Sequence, residues 1–276
     1  MEVDKIYCAD CLDFMKDMPD NSVDLVVTSP PYDNIRQYHG YNWHCGQTAQ
    51  ELLRIVKEGG VVAWIVKDGV ENGSETGTSF RQALDFMGFG WRLHDTMIYA
   101  KKGVNYPRQI RYHDSFEYMF IFSKGAPKTV NLIRDKINTT AGDNSSGHCR
   151  NDDDSQRLRS ETFSDPIAEM GIRQNIWAYN TGFNHSTKDR IAFDHPAIFP
   201  EALAFDHIRS WSNKGDLVLD PMCGSGTTCK MAKVMGRHYI GIDISEKYCE
   251  IARKRVEAAE KGIAVKELEK GQKVLF

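Results

Sequence analysis

Apolar residues fall in two rhythms along the first 125 positions. Short β-branched runs, as in a buried strand, alternate with stretches whose apolar residues recur three and four apart, as on one helix face. The pattern predicts strands over 5–9, 23–28, 61–66, 95–100 and 116–122, and helices over 12–18, 47–57 and 79–87. Leu52, Leu53 and Val56 share a face in the second helix, with a turn expected at Glu58-Gly59-Gly60. Pro19 closes the first helix. Ser29-Pro30-Pro31 ends the second strand, because proline has no N–H for a ladder.

From about 126 to 190 the rhythm is lost. Asn, Ser, Thr, Asp and Gly dominate, and 141–160 has almost no apolar residue. Regular patterning returns after 191, with helices expected over 200–212, 227–235 and 245–260 and strands over 217–219 and 238–242. Tyr248, Ile251, Ala252, Val256 and Ala259 mark the apolar face of the last helix. Alternating strands and helices imply an α/β fold, a mostly parallel sheet with helices on both faces. Three segments are expected: 1–125, an insert over 126–190, and 191–276, the outer two forming one domain.

Composition adds little beyond exclusions. Hydrophobic residues are 41% and charged residues 26%, as in ordinary globular proteins. No apolar run approaches the roughly 20 residues of a membrane span, and the acidic start does not read as a signal peptide, so a cytoplasmic protein is expected. Seven cysteines, an odd number, read as free thiols. Cys8-x-x-Cys11 has no second such pair to complete a zinc site, and no metal is expected. The net charge of −3 restricts nucleic-acid binding to a local basic face. One candidate is Lys101, Lys102, Arg108 and Arg111, a stretch without acids and interleaved with Tyr106 and Tyr112.

Two motifs carry chemistry. In the first, the strand Leu217-Val218-Leu219 ends in Asp220, and Pro221-Met222-Cys223-Gly224-Ser225-Gly226-Thr227 opens a helix. Glycines allow close backbone approach to a ligand, and a helix start offers free N–H groups. Asp243 ends the next strand, about 20 residues on, the spacing of a carboxylate that binds ribose hydroxyls. With no third glycine and no Gly-Lys-Ser/Thr, the pattern describes a nucleoside site without strong phosphate handling, which suits S-adenosylmethionine.

The second motif, Ser29-Pro30-Pro31-Tyr32, sits at the carboxyl end of a strand, where open α/β sheets bind ligands. Two prolines leave a rigid run of carbonyl acceptors beside a hydroxyl and an aromatic face. An exocyclic amine of cytosine or adenine is a poor nucleophile, since its lone pair is delocalised into the ring. Acceptors for its N–H groups, such as Ser29 and the Pro30 carbonyl, pull the nitrogen towards tetrahedral geometry, and Tyr32 could stack on the base. A base inside a duplex must first be flipped out.

Together these segments resemble the β group of DNA amino-methyltransferases. The resemblance covers most of the chain outside 126–190 and also rests on Cys8-Ala9-Asp10-Cys11-Leu12, Phe116 to Lys124 and His195 to Glu201. The catalytic block precedes the cofactor loop, an order that distinguishes this group. The resemblance implies a circularly permuted, Rossmann-like methyltransferase fold with S-adenosyl-L-methionine as cofactor. It places Asp220, Cys223, Gly224, Gly226 and Thr227 at the methionine end, Asp243 at the ribose, Asp10 towards the adenine, Ile198 and Phe199 beside the cofactor, and Cys11 and Pro221 among the cofactor-binding residues. Ser29, Pro30, Pro31 and Tyr32 would handle the base. The insert would recognise double-stranded DNA, with Arg134 and Lys136 among its cations. Met222 departs from the family's usual aromatic. Members with Ser at the first tetrapeptide position mostly act on cytosine N4, so that target is expected first and adenine N6 second. A catalytically silent DNA-binding protein is a third reading. A homodimer and a cognate restriction endonuclease are further partners the resemblance allows.

Overall fold

The computed structural model describes residues 2–31, 44–102, 111–144, 147–158, 165–262 and 265. Strands and helices are numbered separately in chain order. One sheet contains β1 (Lys5–Cys8), β2 (Val23–Thr28), β3 (Val56–Val66), β6 (Arg92–Lys102), β7 (Phe116–Ser123), β12 (Ile176–Asn180), β13 (Leu217–Asp220) and β14 (His238–Asp243). Their spatial order is β1-β14-β13-β2-β3-β7-β6-β12. Every neighbouring pair is parallel except the two made by β7, which runs against both β3 and β6.

The helices are α1 (Cys11–Lys16), α2 (Cys45–Ile55), α3 (Thr78–Gly88), α4 (Glu201–Trp211), α5 (Thr227–Val234) and α6 (Glu246–Glu260). Val62, Trp64 and Val66 of β3 join a core with Leu52 of α2 and Phe86 of α3. Ala63 and Ile65, which point the other way, are equally buried, so both faces of the sheet are covered. Leu203, Ala204 and Ile208 of α4 and Ala232 of α5 are also fully buried.

One stretch departs from its expected reading. The expected helix end and turn over 56–60 instead begin β3, so that Val56 pairs with Val23 of β2. Gly59 has a positive φ of 80°, and a Cβ on Gly60 would lie 2.9 Å from the Asp24 carbonyl. The two glycines therefore let the strand bulge without stopping it.

The chain forms two compact units: residues up to Asn131 with Asn175–Phe276, and Leu132–Gln174. The second unit is narrower than the expected insert, because β12, inside the polar stretch, pairs with β6 through Trp177 and Tyr99. That second unit contains β8 (Arg134–Ile137) against β11 (Met170–Ile172), and β9 (His148–Arg150) against β10 (Gln156–Leu158). An Arg173–Asp135 ion pair at 2.5 Å ties it internally. The first unit carries a two-residue hairpin, β4 (Val70–Glu71) and β5 (Ser74–Glu75). Among the described residues no helix is long and apolar enough to cross a membrane.

Candidate cofactor and substrate site

At the carboxyl ends of β1, β14, β13 and β2 lies a cavity of about 480 Å³. One wall is the loop from Pro221 through Ser225 with Thr227. Ser29, Pro30 and Pro31, 190 residues earlier in the chain, line the same cavity. Cys11, Ile198, Phe199 and Asp243 are also at its surface. Most of the expected site residues are thus brought together.

Among the described residues, three of those expected at the cofactor are not in the lining, and each has a different role. Asp10 caps α1, accepting from the backbone N–H groups of Leu12 (2.8 Å) and Asp13 (3.1 Å). Cys11, the first residue of that helix, is thereby set in the cavity wall, where burial pushes its thiol up to about 12. Asp220 is almost fully buried; its Oδ1 accepts from the Thr28 hydroxyl at 2.7 Å and the Met222 N–H at 3.2 Å. Burial pushes its carboxyl up to about 6, against the lowering effect of those hydrogen bonds. Gly226 has φ 75°, and a Cβ there would lie 2.6 Å from the Ala252 Cβ of α6, so it serves close packing of the loop on that helix.

Gly224 makes the cradle. Its φ is 48°, and a Cβ would fall 2.7 Å from Nε2 of His195. His195 is held in turn by an edge-on contact with Tyr248, with ring centroids 4.4 Å apart, and its Nδ1 accepts from the Ala197 N–H. The Asp243 carboxylate spans two backbone segments, with Oδ2 accepting from Gly224 N (2.9 Å) and Oδ1 from Ser245 N (2.9 Å). Burial raises its pKa, the two N–H groups working against that. A close-approach glycine, a carboxylate at a strand end and a helix start fit a nucleoside with an attached amino acid.

The far end of the cavity holds Lys67, Tyr99 and Glu117, which the motifs did not single out, together with Lys101. Lys101 pairs with Glu117 at 2.5 Å, and Lys67 pairs with Asp114. Glu117 was visible as a lone acid inside the apolar run 116–122. Lys101, expected to contact DNA, lines the cavity, while Lys102 is exposed and Arg111 pairs with Glu75 at 3.3 Å. Arg134 and Lys136 lie exposed on β8 of the second unit. Tyr32, the expected stacking ring, and Arg108 lie outside the described residues.

The support beneath the loop belongs to neither motif. Arg255 is fully buried and donates to the Ser225 carbonyl (2.6 Å) and to Thr227 Oγ1 (3.1 Å). Its other nitrogens reach Asp189 (3.0 Å) and Glu201 (2.7 Å), which Lys230 also contacts at 2.7 Å each. Burial alone would raise the Asp189 carboxyl, but Lys230 and Arg255 hold it below its ordinary value. The signal was an arginine on the apolar face of the last helix, four residues after Ile251 and three after Ala252.

Comparison with known proteins points to one family. A family model described as DNA methylase matches residues 23–254. The chain is 54% identical over 239 residues to the orphan methyltransferase M.BamHII of Bacillus amyloliquefaciens, covering 86% of this chain and 89% of that protein. It is 27% identical to the type II methyltransferase M.BglII of Bacillus subtilis, over 91% of this chain and 68% of the other. Among solved structures, the cytosine-N4-specific PvuII DNA methyltransferase superposes with a TM-score of 0.67 at 19% identity, covering 97% of this chain and 93% of the other. A DNA modification methylase of Thermus thermophilus, TTHA0409, complexed with S-adenosyl-L-methionine, superposes with a TM-score of 0.62 at 23% identity, over 94% and 97% of the two chains.

Proposed function

From the premise that this chain belongs to the DNA methylase family acting on N4 or N6 amines, we propose that it methylates the N4 amine of a cytosine flipped out of double-stranded DNA. One observation carries the reading: Ser29 and Pro30 line the same cavity as the loop that begins at Pro221. The acceptors for the amine and the cofactor-binding segment therefore face one space, as direct transfer between two bound partners requires.

The cofactor is S-adenosyl-L-methionine, and when bound it supplies an electrophilic methyl group on a positive sulfur. The residues that would hold it are Gly224, Asp243, Ile198, Phe199 and the loop from Pro221 to Thr227. The chain's own work is on the base. Ser29 Oγ and the Pro30 carbonyl accept the two amine N–H bonds, which concentrates the nitrogen lone pair away from the ring. The two prolines fix those acceptors, so little reorganisation accompanies the reaction. A serine oxygen supplies an acceptor without a formal charge, which suits cytosine N4 in the pattern that the resemblance implies. Lys101 and Glu117, at the far end, offer a donor and an acceptor to the ring edge of the base. Lys102, Arg134 and Lys136, all exposed, are the cations proposed for phosphate contact.

The test is incubation of purified protein with unmethylated genomic DNA and S-adenosyl-L-methionine, then nuclease digestion and mass spectrometry of the nucleosides. N4-methylcytosine is the expected product. N6-methyladenine would overturn the choice of base, and no methylated nucleoside from cofactor-binding protein would overturn the reaction.

A further inference from the structure

The Cys8-x-x-Cys11 pair does not act as a pair. Cys11 starts α1 and faces the cavity wall, whereas Cys8 ends β1 on the exposed side. Its neighbours come from the first two turns of α6. Among the described residues, one donor atom each from Cys8, Glu246 and Cys249 lie within 4.8 Å of one another. Glu246 and Cys249 are three apart on one helix and so share a face.

We propose that Cys8, Cys249 and Glu246 form a binding site for a soft divalent cation of the zinc class, clamping the end of β1 to the start of α6. Three arguments support it. The first is size. Tetrahedral zinc with bonds of about 2.3 Å to sulfur and about 2.1 Å to oxygen places ligand atoms roughly 3.6–3.8 Å apart. The three atoms reach that spacing by side-chain movements of about an ångström. The second is donor type, since two thiolates and a carboxylate select zinc or cadmium over magnesium or calcium. The third is the surrounding support. Arg253 donates to Glu246 at 2.5 Å and to the Ile6 carbonyl at 3.3 Å, so the carboxylate is oriented and the excess negative charge of the loaded site is met by a cation.

Binding is balanced as two S–H bonds broken, two metal–sulfur bonds formed and two protons released to solvent. What the thiols give up is small: Cys8 Sγ contacts the Ile244 carbonyl at 3.6 Å, and Cys249 Sγ contacts the Tyr7 and Asp243 carbonyls at 3.5 Å. A fourth position is left for water. The Asp243 and Ile244 carbonyls belong to residues lining the cofactor cavity, so the clamp would brace that wall from behind.

The experiment is titration of reduced, metal-free full-length protein with cadmium, kept in a phosphine reductant, following the ultraviolet sulfur-to-cadmium charge-transfer band. One equivalent should bind, and zinc should displace it. Cys8→Ser should abolish the stoichiometric band, and Glu246→Gln should weaken binding about tenfold or more. Cys149→Ser, in the second unit, should leave it intact. Because Cys8 is exposed, its variant stays testable even if Cys249→Ser does not fold. A band that survives undiminished in Cys8→Ser, or no stoichiometric band in the parent protein, overturns the site.

Discussion

The Thr28 hydroxyl donates a 2.7 Å hydrogen bond to Asp220, joining residues 192 positions apart in the chain. Thr28 immediately precedes the Ser29-Pro30-Pro31 acceptors, and Asp220 immediately precedes the glycine loop. A second link runs beside it, from Thr228 Oγ1 to the Val27 carbonyl at 3.0 Å. The two halves of the site are therefore registered by buried hydrogen bonds beneath the cavity.

That position has a pH signature. Burial lifts the Asp220 carboxyl from its ordinary value near 3.8 up to about 6, so the folded protein binds the proton more tightly than the unfolded chain. Its contribution to stability is fully present below pH 4 and is lost as pH rises through 6. Relative to wild type, Asp220→Asn should gain up to roughly 3 kcal/mol as pH is raised from below 4 to above 7. Denaturant melts of both proteins across that range check it; parallel pH profiles would refute it.

His207 works in the opposite sense. It is fully buried, its ring tilted against Trp177 with centroids 4.8 Å apart, and burial alone holds its imidazole down to about 3. The unfolded chain takes up the proton first, so stability present above about pH 6.5 is lost as pH falls towards 3. His207→Leu should flatten the acid limb of the wild-type stability curve, measured by thermal melts between pH 7 and pH 4. An unchanged acid limb would assign it to other groups.

Arg255 should matter to both fold and cofactor. Arg255→Met strands Asp189 near a single remaining cation, Lys230, and frees Ser225 and Thr227. A loss of roughly 3–5 kcal/mol is expected. Arg255→Lys should recover part of it, but not the fork to Ser225 and Glu201. Urea melts give the stability, and calorimetry at low temperature gives the cofactor affinity of whatever remains folded.

The two loop glycines should fail differently. Gly226→Ala presses against backbone and Cβ atoms of Ala252 in α6, and at a positive φ, so a destabilisation of about 1–3 kcal/mol is expected. Gly224→Ala is also strained by its φ of 48°, but the nearest atoms its Cβ would meet belong to the His195 ring, a side chain and not backbone. It should lose less stability than Gly226→Ala and lose cofactor affinity as the ring is displaced. Thermal melts beside cofactor titrations separate the two outcomes, and equal melting losses would contradict the assignment.

Ser29 and Asp243 should divide turnover from binding. Ser29→Ala should lower methyl transfer by roughly 100-fold with little change in cofactor affinity. Asp243→Ala removes the acceptor for both Gly224 and Ser245 and should weaken cofactor binding by roughly 10- to 100-fold. Single-turnover rates and equilibrium titrations of each variant make the comparison.

What the sequence determined by itself was local. β-branched runs marked the strands, the proline pair stopped β2, and Gly224 and Gly226 announced a close backbone approach, because each of these follows from the covalent geometry of the residue itself. The order of the two motifs likewise pointed to the methylase family before any contact was known. Tertiary structure decided which distant residues meet. Val56 left its helix for a strand because Val23 offered it a ladder partner. Tyr99 and Trp177 brought part of the polar stretch into the main sheet. Lys101 lines the cavity and pairs with Glu117, a partner on another strand, and Cys8 lies beside Cys249 and not Cys11. Arg255, a charge on an apolar face, acquired its meaning only when Asp189 and Glu201 were folded against it. Periodicity records which face of an element is buried, but the partner across the seam depends on how the whole chain packs.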